Sequence, residues 1–307
     1  MQAQYFHEYF SDWICTYKEG AVRPVTLAKY KQTLIQLKKI APDVTLAELD
    51  KRTYQQIINK YAETHAKQTV SDFNVQLKAA VMDMVDEGKI PYNPTRKTVI
   101  KGNARTVRGN KYLGSDECKK LLGHLELPPD KVNWDWFIFL CLKTGLRFSE
   151  ALGLTPKDFD VMAQTLRVNK TFDYKCANAL VDDVKTESSK RVIVLDRKTS
   201  EQFGRLLAGE NMEKLIFVSN GKRVFNSTVG ARLKRLCKSA EIPEISIHGL
   251  RHTHASLLFY NGVSIHSISR RLGHANIAVT QNTYIHIIKE MEEKDNEKIL
   301  SVLEESF

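Results

Sequence analysis

Apolar positions in the first ninety residues recur every three or four places, a spacing that predicts helices. From Tyr5 to Tyr17, the residues Tyr5, Phe6, Tyr9, Phe10 and Trp13 fall on one stripe. Leu27, Tyr30, Leu34 and Leu37 form the next, over Thr26 to Ile40. Lys29, Lys31, Lys38 and Lys39 lie mostly off it, and Pro42 follows its end. Thr45 is placed to cap a short helix, and Arg52 to Thr64 gives a further long one. Phe73, Leu77, Ala80, Val81 and Met84 keep register from Thr69 to Glu87, with Gly88 as the C-cap. Strand-like alternation is absent, so a bundle of about four helices is expected over residues 1–92.

Pro91, Asn93 and Pro94 break this pattern. Arg96, Lys97, Lys101, Arg105, Arg108 and Lys111 follow with no acidic residue between them. Residues 93–111 therefore read as an exposed basic linker suited to phosphate contact. From Leu113 the pattern is mixed. Ser115 is expected to cap a helix, Trp134 to Thr144 reads as a buried helix ended by Gly145, and Arg147 to Leu152 as a short one. Strand-like segments run over 165–171, 179–185 and 191–195, the last two flanking 186–190 as a hairpin-like turn. After Thr199 the chain is again mostly helical. Residues 112–307 are thus expected to form a second domain, mainly α with a small antiparallel sheet, an α+β unit.

The 307 residues allow two domains, and a net charge of +10 favours a polyanionic partner, nucleic acid before an acidic membrane surface. Cys15, Cys118, Cys141, Cys176 and Cys237 are scattered and form no CxxC pair, which argues against a disulfide framework or structural zinc. No run approaches the ~18 apolar residues of a membrane span, and no signal peptide is visible, so a cytoplasmic location is expected.

Four segments carry polar groups that packing does not require. Thr144-Gly145-Leu146-Arg147-Phe148-Ser149-Glu150 puts Arg147 at a helix start with Glu150 one turn on, where the carboxylate can orient the guanidinium. His248-Gly249-Leu250-Arg251-His252-Thr253-His254 crowds three imidazoles around an arginine. Metal binding is one reading of it, but no Cys or carboxylate is nearby and Arg251 repels a cation; an anion such as phosphate suits the set better. His252 and His254 read as ordinary helix residues. In Arg270-Arg271-Leu272-Gly273-His274, Gly273 ends a helix begun near Ser264 and leaves His274 beyond it. The fourth segment, Thr280-Gln281-Asn282-Thr283-Tyr284, is notable only for its company. Phosphodiester cleavage needs a nucleophile, stabilised non-bridging oxygens, which two arginines can grip bidentately, and a proton for the leaving oxygen, which a lysine can supply.

In this order the segments TGLR, KTESSKR, HGLR, LGH and NTY resemble the tyrosine recombinase, or phage integrase, family. The similarity is specific across the catalytic domain and general in the helical first domain. It implies that Tyr284 attacks the scissile phosphate to form a 3′-phosphotyrosyl link, with neither metal nor cofactor. Arg147 and Arg251 clamp the phosphate, and Lys185 is the general acid. Lys190 competes for that role, and Lys185 is preferred because it opens the KT segment. His248 assists the nucleophile as base or hydrogen-bond partner, His274 binds a phosphate oxygen, and Glu150 steadies Arg147.

The same resemblance implies a site-specific recombinase of a phage or other mobile element, integrating or excising it at double-stranded DNA core sites. The first domain then binds core DNA. Residues 289–305, with Ile288, Met291, Ile299, Val302 and Leu303 nearby, read as an amphipathic helix exchanged between protomers of a tetramer. Accessory DNA-bending or directionality proteins and a nucleoid-associated location belong to this expectation. Many relatives carry a further arm-binding domain; either it never existed here or the chain is a fragment. A type IB topoisomerase uses the same chemistry without strand exchange, and a non-catalytic DNA-binding regulator needs none of these residues in this order.

Overall fold

The computed structural model describes residues 4–103, 112–174, 179–181, 190–218, 223–281 and 284. The chain divides into two compact units, Met1–Arg108 and Gly109–Phe307.

The first unit is built on helices α1 (Phe6–Tyr17), α2 (Pro24–Ile40), α3 (Lys51–Ala62) and α4 (Lys67–Asp86). Of the stripes read from the sequence, Phe6, Tyr9, Phe10, Trp13, Leu37, Phe73, Leu77, Ala80, Val81 and Met84 are buried in one core with Tyr54 and Ile58; Leu27, Tyr30 and Leu34 pack on it partly buried, and Tyr5 is exposed. Aromatic side chains at its rim keep their polar ends bonded, Trp13 Nε1 donating to Asp83 at 2.6 Å and the Tyr9 hydroxyl to Glu87 at 3.1 Å. Helix α2 starts two residues before the expected Thr26, because Pro24 needs no N–H partner in a first turn. Thr45 caps no helix. It bridges to Tyr5, and its N–H and hydroxyl donate to Glu48. Asp50 instead caps α3, accepting from the Thr53 N–H at 2.7 Å.

Within this unit the chain after α4 returns to α3 and the turn that follows it. The Gln55 amide pairs with the Val99 backbone, donating to its carbonyl and accepting from its N–H, both at 2.9 Å. Farther on, the Asn103 N–H donates to the His65 carbonyl at 2.9 Å.

The second unit centres on α6 (Trp134–Thr144), which is buried on nearly every side: Trp136, Phe137, Ile138, Leu140 and Cys141 are all in the core. Each large side chain so buried contributes about 1.5–3 kcal/mol. Asn133 caps its start, and Arg232 grips Asp135 with a two-pronged bond at 2.7 Å. Around it lie α5 (Ser115–Gly123), α7 (Phe148–Leu152), α8 (Arg197–Leu206), α9 (Asn226–Ser239), α10 (Ile247–Tyr260) and α11 (Ile265–Leu272). Gly114, not Ser115, is the N-cap of α5; the Glu117 carboxylate turns back to accept its N–H at 2.7 Å.

Strands β1 (Phe159–Asp160), β2 (Thr165–Val168) and β5 (Arg191–Val194) form one antiparallel sheet, and β3 (Thr171–Asp173) pairs with β4 (Ala179–Val181) in another. The expected single strand over 165–171 is therefore two. Lys170 turns inward between them and donates to Thr155 and Asp158, since a buried ammonium must find a partner. The expected pairing of 179–185 with 191–195 is not the described one: β4 pairs with β3, while β5 pairs with β2, where Leu166 meets Ile193 and both are buried. Among the described residues no helix is long and apolar enough to cross a membrane.

Candidate active site

The site gathers on α10 and on the ends of α6 and α11. Both α6 and α11 finish on a glycine in the left-handed region, Gly145 (φ 69°) and Gly273 (φ 69°). A Cβ on Gly145 would stand 2.8 Å from His254 and from Leu272, and one on Gly273 would stand 2.9 Å from the Arg191 guanidinium. The glycines permit the turn and the close approach together.

Arg251, only 2% exposed, reaches across these ends. One terminal nitrogen donates to the Gly145 carbonyl and the other to the Leu272 carbonyl, both at 2.7 Å. Arg147, the N-cap of α7, donates to the Glu150 carboxylate at 2.7 Å and to the Gly273 carbonyl at 2.9 Å. Each terminal nitrogen carries two N–H groups, so one on each remains to meet an anion. Burial, then the charge of Arg147, pushes the Arg251 guanidinium down to about 9, and Glu150 opposes them. Arg251 is still cationic at neutral pH. Arg251, desolvated beside Arg147 with one carboxylate among the described groups acting on it, makes a site in want of negative charge.

Glu150, 1% exposed, is held by more than Arg147. Arg191, the last residue of the KTESSKR segment, donates to it at 2.9 and 3.2 Å and to the Arg271 carbonyl at 2.7 Å. Burial raises the Glu150 carboxyl, but Arg191 and then Arg147 overcome it and hold the group at about 2. Behind this layer Arg271 Nε donates to His254 Nε2 at 2.9 Å, which leaves His254 Nδ1–H to donate to the Leu142 carbonyl at 3.0 Å. His254 is thus a neutral buried tie between α10, α11 and α6, its pKa lowered to about 3 by burial and then by Arg271.

The histidines singled out from the sequence stand around the arginines. His248 is exposed, and desolvation of its ring, then Arg251 and Arg147, lower its pKa. His274 lies just past Gly273, bonded through Nδ1 to the Thr280 hydroxyl at 2.7 Å. Burial and then the three arginines bring it to about 4, so it is neutral at pH 7 and able to donate to a phosphate oxygen.

Tyr284 is 2% exposed and packs with Ala255, Phe259, Ile268 and Leu272. Its hydroxyl is bonded to His252 Nδ1 at 3.0 Å. Burial raises the phenol to about 12, while Arg251 pulls it the other way. The structure therefore brings together Arg147, Glu150, His248, Arg251, His274 and Tyr284. Lys185 lies outside the described residues, as do Arg105, Arg108, Lys111 and the segment 289–305; the competing Lys190 is exposed. Arg96, Lys97 and Lys101 belong to the first unit. There Lys97 and Lys101 line a groove of about 730 Å³ with Lys51, Arg52, Gln55 and Asn59.

Sequence reasoning missed Arg191, Arg271 and the roles of His252 and His254. The KTESSKR segment contains Arg191 but assigns it no role, and His252 and His254 read from the sequence as ordinary helix residues. Among the described residues no group of three or more His, Cys, Asp or Glu side chains is placed to hold a metal ion.

Residues 111–291 match the family model described as the phage integrase family. A XerC-like tyrosine recombinase of Caldanaerobacter subterraneus is 28% identical over 266 residues, covering 76% of this chain and 66% of its own length. The chain spans about two thirds of the length of the first curated relatives it matches. In fold it is similar to the Tn1549 transposon integrase, solved in complex with a circular intermediate DNA (TM-score 0.76, 20% identity, 95% of this chain and 99% of that one). It is also similar to lambda integrase, solved as a tetramer bound to a Holliday junction (TM-score 0.64, 18% identity, 88% of this chain and 77% of that one).

Proposed function

The chain belongs to the phage integrase family, the tyrosine recombinases, and on that premise we propose that it is a site-specific DNA recombinase that cuts and rejoins strands through a 3′-phosphotyrosyl link to Tyr284. The observation that carries this reading is Arg251, buried and bonded to the carbonyl next to the one Arg147 holds, on the helix whose next residue, His252, meets the Tyr284 hydroxyl at 3.0 Å. A phosphodiester placed on the two guanidinium groups gains bidentate contacts at its non-bridging oxygens. Negative charge that develops there in the transition state meets donors already in place. His274 and His248 add neutral donors to the same oxygens. The tyrosyl link conserves the energy of the phosphodiester, so a 5′ hydroxyl from a partner strand can reverse the step. Lys185 protonates the departing 5′ oxygen in this scheme.

Strand exchange between two duplexes requires four such sites, so the active species is a tetramer on DNA, with 289–305 exchanged between protomers. DNA-bending or directionality proteins act beside it. The first unit holds core DNA, with Lys51, Arg52, Lys97 and Lys101 of the α3 groove on phosphates. The element moved is a phage or another mobile DNA.

The test uses nicked duplexes enriched from a random library by binding to the wild-type protein, incubated with chelator and without ATP. Wild type accumulates a covalent adduct mapped to Tyr284, and Tyr284→Phe binds the same duplex without forming one. An adduct on another residue, or one that persists in Tyr284→Phe, overturns the assignment.

A further inference from the structure

Three residues of α10, His248, Arg251 and His252, stand at i, i+3 and i+4 and so share one face of the helix. Phe259, seven positions past His252, continues that face. Tyr284 lies along it: its ring packs on Phe259 with centroids 5.4 Å apart, and its hydroxyl ends at His252 Nδ1, 3.0 Å away. The His252 ring in turn meets His248 edge-on at 4.8 Å. The reacting oxygen is therefore delivered to the helix face that carries the phosphate clamp, and the imidazole touching it is His252, one residue from Arg251.

Resting on the reading of Tyr284 as nucleophile, we propose that His252 is a catalytic residue, the group that accepts the phenolic proton as Tyr284 attacks DNA. A phenol buried this deeply does not ionise unaided at neutral pH; it needs an acceptor in contact with it, and His252 Nδ1 is in contact. In the forward step the Oη–H bond breaks, the proton passes to Nδ1, the Oη–P bond forms and the P–O5′ bond breaks. The 5′ oxygen takes its proton from a separate acid. In the reverse step a 5′ hydroxyl gives its proton back to that acid and attacks phosphorus, the O5′–P bond forms, the Oη–P bond breaks and His252 returns its proton to Tyr284. No electron donor or acceptor enters. His248, a ring further from the phenol, is left to the phosphate and to the far side of His252.

Two variants separate proton acceptance from mere hydrogen bonding. His252→Asn retains an oxygen that can accept a hydrogen bond but is not a base; His252→Ala retains neither. Single-turnover adduct formation is measured on the nicked duplexes at saturating protein, and DNA affinity is measured separately. Both variants are expected to lose about 10²-fold or more in rate, with affinity within about twofold of wild type. Added imidazole should restore part of the loss in His252→Ala. A fluorinated tyrosine placed at position 284, whose phenol is more acidic, should restore most of it in both variants.

Full activity of His252→Asn would show that orientation alone is required and overturn the proposal. So would His252→Ala cutting as fast as wild type or faster, which would mean that the contact only stores the phenol. Failure of both rescues in folded, DNA-binding variants would count against it equally. A wild-type adduct that does not map to Tyr284 sinks the underlying assignment instead, so the two failures are distinguishable.

Discussion

Replacing Glu150 by Gln keeps the side chain's shape and removes its charge, which isolates the contribution of one buried carboxylate. It accepts from the Arg147 N–H at 2.8 Å, from the Arg147 guanidinium at 2.7 Å and from Arg191 at 2.9 Å. An ordinary Glu carboxyl titrates near 4.5, and this one is held at about 2, so its ionised form is favoured by about 3 kcal/mol. Gln supplies none of that and takes the Glu150 charge away from the Arg191 side chain, which is 5% exposed. Loss of one partner from a buried pair costs about 3–5 kcal/mol. With a urea dependence of about 2–3 kcal/mol per molar, the unfolding midpoint of the second unit should fall by about 1–2 M.

The assay is urea unfolding of the full chain, followed by tryptophan fluorescence and circular dichroism at several pH values. The folded carboxyl is depressed, so its stabilisation is complete above pH 4.5 and is lost as pH falls through about 2. The gap between wild type and Glu150→Gln should therefore be constant from pH 5 to 7 and shrink below about 4.5. A midpoint shift below about 0.3 M at pH 7, or a gap that survives acid, refutes the reasoning.

Gly145→Ala forces a side chain into the left-handed region with its Cβ 2.8 Å from His254 and Leu272; it should cost about 2 kcal/mol or more and lower the melting temperature by about 4–8 °C. His254 stays neutral in the folded chain down to about pH 3, whereas an unfolded imidazole takes up its proton near 6.5, so acid favours unfolding across that window. His254→Gln should flatten the stability profile between those values, as read by denaturation at each pH. Lys185→Ala should slow cleavage sharply on normal DNA, and a sulfur leaving group, which needs less protonation, should recover much of the loss. Changing Lys97 and Lys101 together to Gln should reduce the log–log salt slope of DNA binding by about 2, as titrations across salt concentration will show.

The helices are legible because a buried stripe is written in local spacing, as from Phe6 to Trp13 and from Phe73 to Met84. What escaped depends on partners far along the chain. Lys170 breaks a strand because it bonds to Asp158 and Thr155, and Thr45 leaves a helix unstarted because it bridges to Tyr5. The arginine and histidine motifs were visible by order and spacing, and the structure adds how they are joined. Arg191 meets Glu150 across 41 positions, and His252 meets Tyr284 across 32. Nothing near Arg191 or His252 in the sequence names those partners.

The way the arginines are held explains why the site can serve an anion at all. A carboxylate on each guanidinium would orient it and also cancel its charge. Here Arg251 is gripped by two carbonyls, Gly145 and Leu272, and Arg147 by the Gly273 carbonyl besides Glu150. These carbonyls sit at the C-terminal ends of α6 and α11, where peptide oxygens lack partners within the helix and the helix dipole is negative. Cations are favoured there, and a dipole fixes their direction without neutralising them. Glu150 is shared between Arg147 and Arg191, while the bonds described for Arg251 are to carbonyls alone. Arg251 and Arg147 are locked in direction before any ligand arrives, and little reorganisation of them is left for an incoming anion.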